Sequence, residues 1–214
     1  MKIIGMCGLK GSGKDTAANI LVQHFKYTKL SFAHVLKNIT SELFGWKREL
    51  LEGDTDESRI FRELPDSFWE YKLDWANNHM SKKFLRFTPR VALQYIGTDV
   101  LRNNFHKNIW LDRLELEISR YEKVVISDAR FSNEIDFVKN NKGKVIWIKR
   151  QLPQWVDLAR KVKTNPENIS ILNTLVEHES EWQWLTEDFD YEIDNTKTIL
   201  DLHEEIRKII LCLI

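Results

Sequence analysis

The apolar positions of the chain gather in short runs at 2–7, 29–32, 124–127, 145–149 and 191–193. Val124-Val125-Ile126 and Val145-Ile146-Trp147-Ile148 are apolar at every successive position. Side chains of a strand alternate between faces, so both faces of these strands must be covered, as in a parallel sheet with helices on both sides. A stretch with helical spacing, 17–25, follows the first run, and each later run lies beyond another such stretch. Repeated strand–helix units predict an α/β fold with a parallel sheet flanked by helices.

Two stretches break this rhythm. Residues 46–87 are charged and tryptophan-rich, with Gly53-Asp54-Thr55-Asp56 as a turn, and residues 150–181 are mostly polar, with Pro153 and Pro166. Long irregular inserts in a compact domain are usually binding segments or lids. The expected organisation is one domain over 1–214, with its core in 1–45, 88–150 and 182–214, a binding insert at about 46–87 and a lid at about 150–181.

Composition narrows the function classes. A chain of 214 residues buries enough surface to need no disulfide or metal staple. The 32 basic and 32 acidic residues cancel, which argues against a protein that coats nucleic acid but leaves room for a local basic pocket. Cys7 and Cys212 lie far apart in apolar surroundings and are both expected to be buried as small hydrophobes. The apolar run at 209–214 is far too short to span a membrane, and a glycine-rich loop interrupts the N-terminal run too early for a signal peptide. A cytoplasmic protein without membrane or nucleic-acid partners is expected, with a homodimer left open.

The strongest chemical signal is Gly8-Leu9-Lys10-Gly11-Ser12-Gly13-Lys14-Asp15-Thr16, which matches G-x-x-x-x-G-K between a predicted strand and a predicted helix. Glycines let successive backbone N–H groups turn inward on phosphate oxygens, and the helix N-terminus and Lys14 add positive charge. Gly11, Ser12, Gly13, Lys14, Asp15 and Thr16 are therefore candidates for binding a nucleoside triphosphate. Asp15 stands where such loops usually carry a magnesium-binding Ser or Thr. Two readings apply to it: a carboxylate favoured by the helix dipole, or an outer-sphere partner of Mg²⁺.

A second constellation is Val124-Val125-Ile126-Ser127-Asp128-Ala129-Arg130, an apolar strand ending in Asp-x-Arg. Ligands of open α/β sheets bind at the carboxyl ends of strands, which places Asp128 and Arg130 beside the glycine loop. Asp128 is positioned to organise Mg²⁺ through water, and Arg130 to bear on the charge of a transferring phosphoryl group. Arg150 ends the next strand, and Arg160 and Lys161 follow where a lid would close. In 88–102, Thr88 is the expected cap, Pro89 the first helical residue, and Leu93, Ile96 and Val100 the buried stripe. That phase leaves Arg90, Gln94, Thr98 and Arg102 to face a ligand. Most of the eight tryptophans are expected in the core, with Trp69, Trp75, Trp110 and Trp155 as candidates to stack on a base. His178 reads as a capping or surface element.

With these motifs in place, the chain resembles the deoxynucleoside monophosphate kinases of bacteriophages and large DNA viruses. The resemblance rests on Gly11-Ser12-Gly13-Lys14-Asp15-Thr16, Leu51-Glu52-Gly53-Asp54 with Arg59, and Pro89-Arg90 with Leu93-Gln94 and Ile96-Gly97-Thr98-Asp99. It continues through Asn103-Asn104-Phe105 with Trp110, Asp128-x-Arg130 with Glu134, Arg150, His178 and Asp190-Tyr191-x-Ile193-x-Asn195. It implies a P-loop kinase fold with a monophosphate-binding insert and a lid, ATP as donor with Mg²⁺, and a deoxynucleoside monophosphate as acceptor. By the same resemblance, Lys10, Lys14 and Thr16 serve phosphates, while Arg59, Arg90, Gln94, Thr98 and Trp110 hold the acceptor. The alternatives are a P-loop kinase of another small phosphorylated metabolite and a nucleotide-dependent regulatory module.

Overall fold

The computed structural model describes residues 2–82, 84–176 and 178–213, with Ser81 and Lys82 as backbone alone. The strands are β1 (Lys2–Cys7), β2 (Thr28–Leu30), β3 (Lys123–Ile126), β4 (Lys144–Lys149) and β5 (Tyr191–Asp194). Around them the chain forms α1 (Lys14–Phe25), α2 (His34–Phe44), α3 (Asp56–Glu63), α4 (Ser67–Lys72), α5 (Pro89–Gln94), α6 (Ile109–Ile118), α7 (Ser132–Asn140), α8 (Trp155–Arg160), α9 (Asn168–Leu175) and α10 (Ile199–Leu213). All five strands are parallel, in the order β2-β3-β1-β4-β5. Each predicted apolar run is a strand of this sheet, and β1 stands in its centre with Gly5 beside Ile126 on one side and Val145 on the other.

The chain divides into two compact units, one of residues 1–32 with 111–214 and one of residues 33–110. In the first unit, Ile4, Met6, Ile146 and Ile148 pack against Ala17, Leu21, Leu202 and Ile206, so α1 and α10 cover one face of the sheet. On the other face a Cβ at Gly5 would stand 2.9 Å from Val138 Cγ2. The missing side chain is what lets α7 lie this close to β1.

The second unit is built around aromatic rings. Trp46, Leu51, Trp75, Met80, Phe84 and Phe87 are buried together, and Phe44 stacks on Trp46 with ring centres 4.5 Å apart. Three indole N–H groups of this cluster find acceptors: Trp46 donates to Asp66, Trp69 to the Phe44 carbonyl and Trp75 to the Phe84 carbonyl. Stretch 46–87 is therefore more regular than its composition predicts. Thr55 accepts from the Ser58 N–H to start α3, and Asp66 accepts from the Trp69 N–H to start α4.

Two expectations need correction. Thr88 caps α5 and Pro89 opens it as predicted, but the helix continues as a π-helix over Tyr95–Arg102. Each π turn takes in one more residue than an α turn, so the side-chain phase drifts. Val100 is consequently 38% exposed, while Thr98 and Arg102, expected to face a ligand, are buried. Cys212 is exposed on α10, and only Cys7 is buried. Of the two readings of His178 the capping one holds: it is buried, and its Nδ1 accepts from the Ser180 N–H. Among the described residues no helix is long and apolar enough to cross a membrane.

Candidate active site

Residues 8–13 leave β1 and turn directly into α1, whose N-cap Gly13 has φ +96°. An L side chain is strained there, and its Cβ would also collide with Asn195 Nδ2. That amide donates to the Ser12 carbonyl at 2.8 Å, while the Asn195 N–H donates to the Lys149 carbonyl at 2.8 Å. The turn after β5 thus ties the loop to the carboxyl end of β4. Within the loop the Ser12 N–H bonds the Leu9 carbonyl, and the buried Ser12 Oγ has no hydrogen-bond partner among the described residues. A buried hydroxyl without a partner costs stability unless a ligand completes it, and phosphate oxygens are acceptors of the kind this loop would receive.

Lys14 is buried, and its Nζ donates to the Leu9 carbonyl at 2.9 Å. Burial, reinforced by the nearby Arg130 guanidinium, pulls its pKa down to about 8. Asp15 accepts from Lys29 Nζ at 2.7 Å and from Ser127 Oγ at 3.1 Å. Burial pushes this carboxyl up, but the Lys29 ammonium and its hydrogen bond outweigh that and hold it below the usual range. Asp15 joins the start of α1 to β2 and to the end of β3, as a structural carboxylate does. Lys10 and Thr16 lie at the exposed rim of the loop.

At the end of β3, Asp128 accepts from Ser31 Oγ at 2.7 Å and from the Phe32 N–H at 3.0 Å, which fixes the turn after β2. A carboxylate oxygen can accept more than one hydrogen bond, so the residue type suits an outer-sphere metal contact. Arg130 Nη1 donates to Glu181 Oε1 at 2.7 Å. The Glu181 carboxylate, against the opposing effect of burial, raises the Arg130 pKa above its ordinary value. The buried Glu134 accepts from the N–H groups of Arg130 and Phe131 and so caps α7. Arg150 is exposed where β4 ends. Arg160 lies over Trp147 and Phe189, 5.0 and 5.7 Å from their ring centres, and 3.9 Å from Glu192.

The first unit therefore groups Lys14, Asp15, Asp128 and Arg130 around the loop. Of the second unit's candidates, Arg59 donates to Asp56 and to the Gly53 and Asp54 carbonyls, and Arg90 to Glu63. Gln94 Oε1 is buried without a hydrogen-bond partner among the described residues. Trp110 is 6% exposed and donates to the Gly97 carbonyl at 2.9 Å. Trp75 is buried likewise, while Trp69 and Trp155 are partly exposed. The sequence reading passed over Glu181 and the bracing by Asn195 and Lys29. Asn195 was visible only within a motif, and nothing local marks Glu181 as the partner of an arginine 51 positions away.

Comparison with known proteins adds an independent line. The family model for deoxynucleotide monophosphate kinase matches residues 67–160. A protein of Acanthamoeba polyphaga mimivirus, assigned as a deoxynucleotide monophosphate kinase, is 36% identical over 163 residues, covering 70% of this chain and 75% of that one. The deoxynucleoside-5'-monophosphate kinase of Escherichia phage T5 is 25% identical over 178 residues, covering 64% and 71%. Among solved structures, the dephospho-CoA kinase of Campylobacter jejuni superposes with a TM-score of 0.48 and 18% identity over 100% of this chain and 98% of that one. With the mimivirus relative sharing more than a third of aligned positions over most of both chains, this chain belongs to the deoxynucleotide monophosphate kinase family.

Proposed function

We propose that the chain transfers the γ-phosphoryl group of ATP to a deoxynucleoside monophosphate. An oxygen of the acceptor's phosphate forms the new P–O bond, the bond to the β–γ bridging oxygen breaks, and ADP leaves. The observation that carries this reading is the cluster of Lys14, the partnerless Ser12 Oγ and Arg130 at the carboxyl ends of β1 and β3. Membership of a family named for this reaction supports it further.

In this reading the loop N–H groups of 11–16 and Lys14 bind the β- and γ-phosphates, and Arg130 stabilises charge on the transferring group. Mg²⁺ would neutralise phosphate charge when bound, and Asp128 would hold it through water. Lys10 supports phosphate at the loop rim. Arg150, Arg160 and the segment 150–181 close over the donor and exclude water that would otherwise accept the phosphoryl group. Arg59, Arg90 and Gln94 hold the acceptor, whose phosphate displaces Asp56 and Glu63 from the two arginines, while Thr98 and Trp110 set the backbone that presents them.

ADP release with Mg-ATP and each of the four common deoxynucleoside monophosphates tests this. Strong stimulation by at least one is expected. Equal ADP release with and without every acceptor would leave a nucleotide-dependent regulatory module. Stimulation by a different phosphorylated metabolite alone would mark a kinase of that metabolite.

A further inference from the structure

The contact between Arg130 and Glu181 has no place in the transfer as described so far. We infer that Glu181 is a positioning residue, which holds one end of the Arg130 guanidinium so that the remaining N–H groups are presented in a fixed plane to the transferring phosphoryl group. The inference rests on the proposed role of Arg130.

Three observations carry it. First, the contact is single: Nη1 of Arg130 donates to Glu181 Oε1 at 2.7 Å, and no other hydrogen bond from the side chain is found among the described residues. A guanidinium has five N–H donors in a rigid fork, so the donors on Nε and Nη2 stay available to a bidentate acceptor such as phosphate. Second, the Glu181 backbone is fixed. Its N–H donates to the His178 carbonyl at 3.0 Å, and its own carbonyl accepts from the Trp184 indole at 3.0 Å. His178, Ser180, Trp182 and Trp184 around it are all buried. A carboxylate mounted on such a turn works as a fixed bracket. Third, the pair lies beside the phosphate loop, because Arg130 and Glu181 both act electrostatically on Lys14, in opposite directions.

A surface ion pair would be worth little and would leave the arginine free to swing. This pair is partly buried, with side chains 31% and 19% exposed. The long arginine side chain otherwise loses several rotamers on binding phosphate. Held in advance by Glu181, it loses fewer, and that gain appears in the transfer step.

The test is a two-residue cycle in the full-length enzyme with Mg-ATP and the best acceptor. Glu181→Gln, which keeps the shape and removes the charge, should lower kcat about 10–50-fold while the KM for ATP changes less than threefold. Glu181→Asp should recover part of the loss. Arg130→Ala should lower kcat further, and adding Glu181→Gln to it should cost less than threefold more, because the guanidinium that Glu181 orients is already gone. A full additional loss in the double variant would overturn the inference and make Glu181 a structural residue or an independent contributor. Normal kcat in Glu181→Gln with reduced kcat in Arg130→Ala would also overturn it, leaving the reading of Arg130 intact. Normal kcat in Arg130→Ala would remove the underlying reading instead. Thermal melting of each variant separates loss of folded protein from loss of turnover.

Discussion

Burial and the neighbouring Arg130 hold the Lys14 ammonium at a pKa of about 8, against 10.5 for an exposed lysine. At pH 7 the unliganded fold therefore carries a charge that its surroundings disfavour by about 3 kcal/mol. A lysine whose pKa is depressed on folding makes the folded state bind fewer protons, so this cost is present below pH 8 and fades as pH rises toward 10.5. Lys14→Met should accordingly raise the melting temperature without nucleotide at pH 7, with a stabilisation on the order of 1–3 kcal/mol that shrinks between pH 8 and 10.5. Scanning calorimetry across that range checks the sign; a destabilised variant at pH 7 would contradict it. The same substitution should cost about 3–4 kcal/mol of transition-state stabilisation, several hundredfold in turnover. Arg130→Lys keeps the charge but loses the planar fork, so kcat should fall far more than ATP affinity. The positions of Lys14 and Arg130 were legible in the sequence, because a glycine loop and a strand end fix them locally. Their electrostatic state was not, since it depends on Glu181 and on burial by distant elements.

The elements that hold the loop are less visible than the loop itself. Asn195, on the turn after β5, bonds the Ser12 carbonyl and the Lys149 carbonyl. Asn195→Ala leaves the Ser12 carbonyl without its amide, which should cost about 1–2 kcal/mol of stability and weaken ATP binding while leaving acceptor KM near normal. Thermal unfolding with nucleotide titration reads both, and unchanged ATP affinity would assign Asn195 to stability alone. On α5, Thr88→Ala should cost about 1 kcal/mol through loss of the cap. The positions of β3 and β4 were readable because doubly covered strands are apolar almost without interruption. The order of the strands was not, for neighbours in a parallel sheet are separated by whole helices in sequence. The phase of 88–102 failed at Val100 for a different reason, as apolar spacing assumes α turns and the π-helix over Tyr95–Arg102 changes the turn.

At the scale of the molecule the segment 150–181 sets the predicted dynamics. α8 and α9 are short, and few of their side chains are buried, chiefly Val156, Ala159 and Leu172. Amides here should exchange quickly in the free enzyme and become protected with a bisubstrate analogue joining adenosine to a deoxynucleoside monophosphate; protection confined to the P-loop would reject a lid. The order of the sheet has a further consequence, for synthesis on the ribosome. β1 pairs only with β3 and β4, and β2 only with β3, yet the 33–110 unit is translated before β3. The first two strands thus wait roughly 90 to 115 residues for a hydrogen-bonding neighbour, which is about 5–23 s at ordinary elongation rates. During that interval the apolar β1 is exposed in a chain that already contains the aromatic core of the second unit. Nascent chains stalled before Lys123 should show a protease-resistant 33–110 unit beside a cleavable N-terminus, and β1 should gain protection only once β3 and β4 have left the exit tunnel.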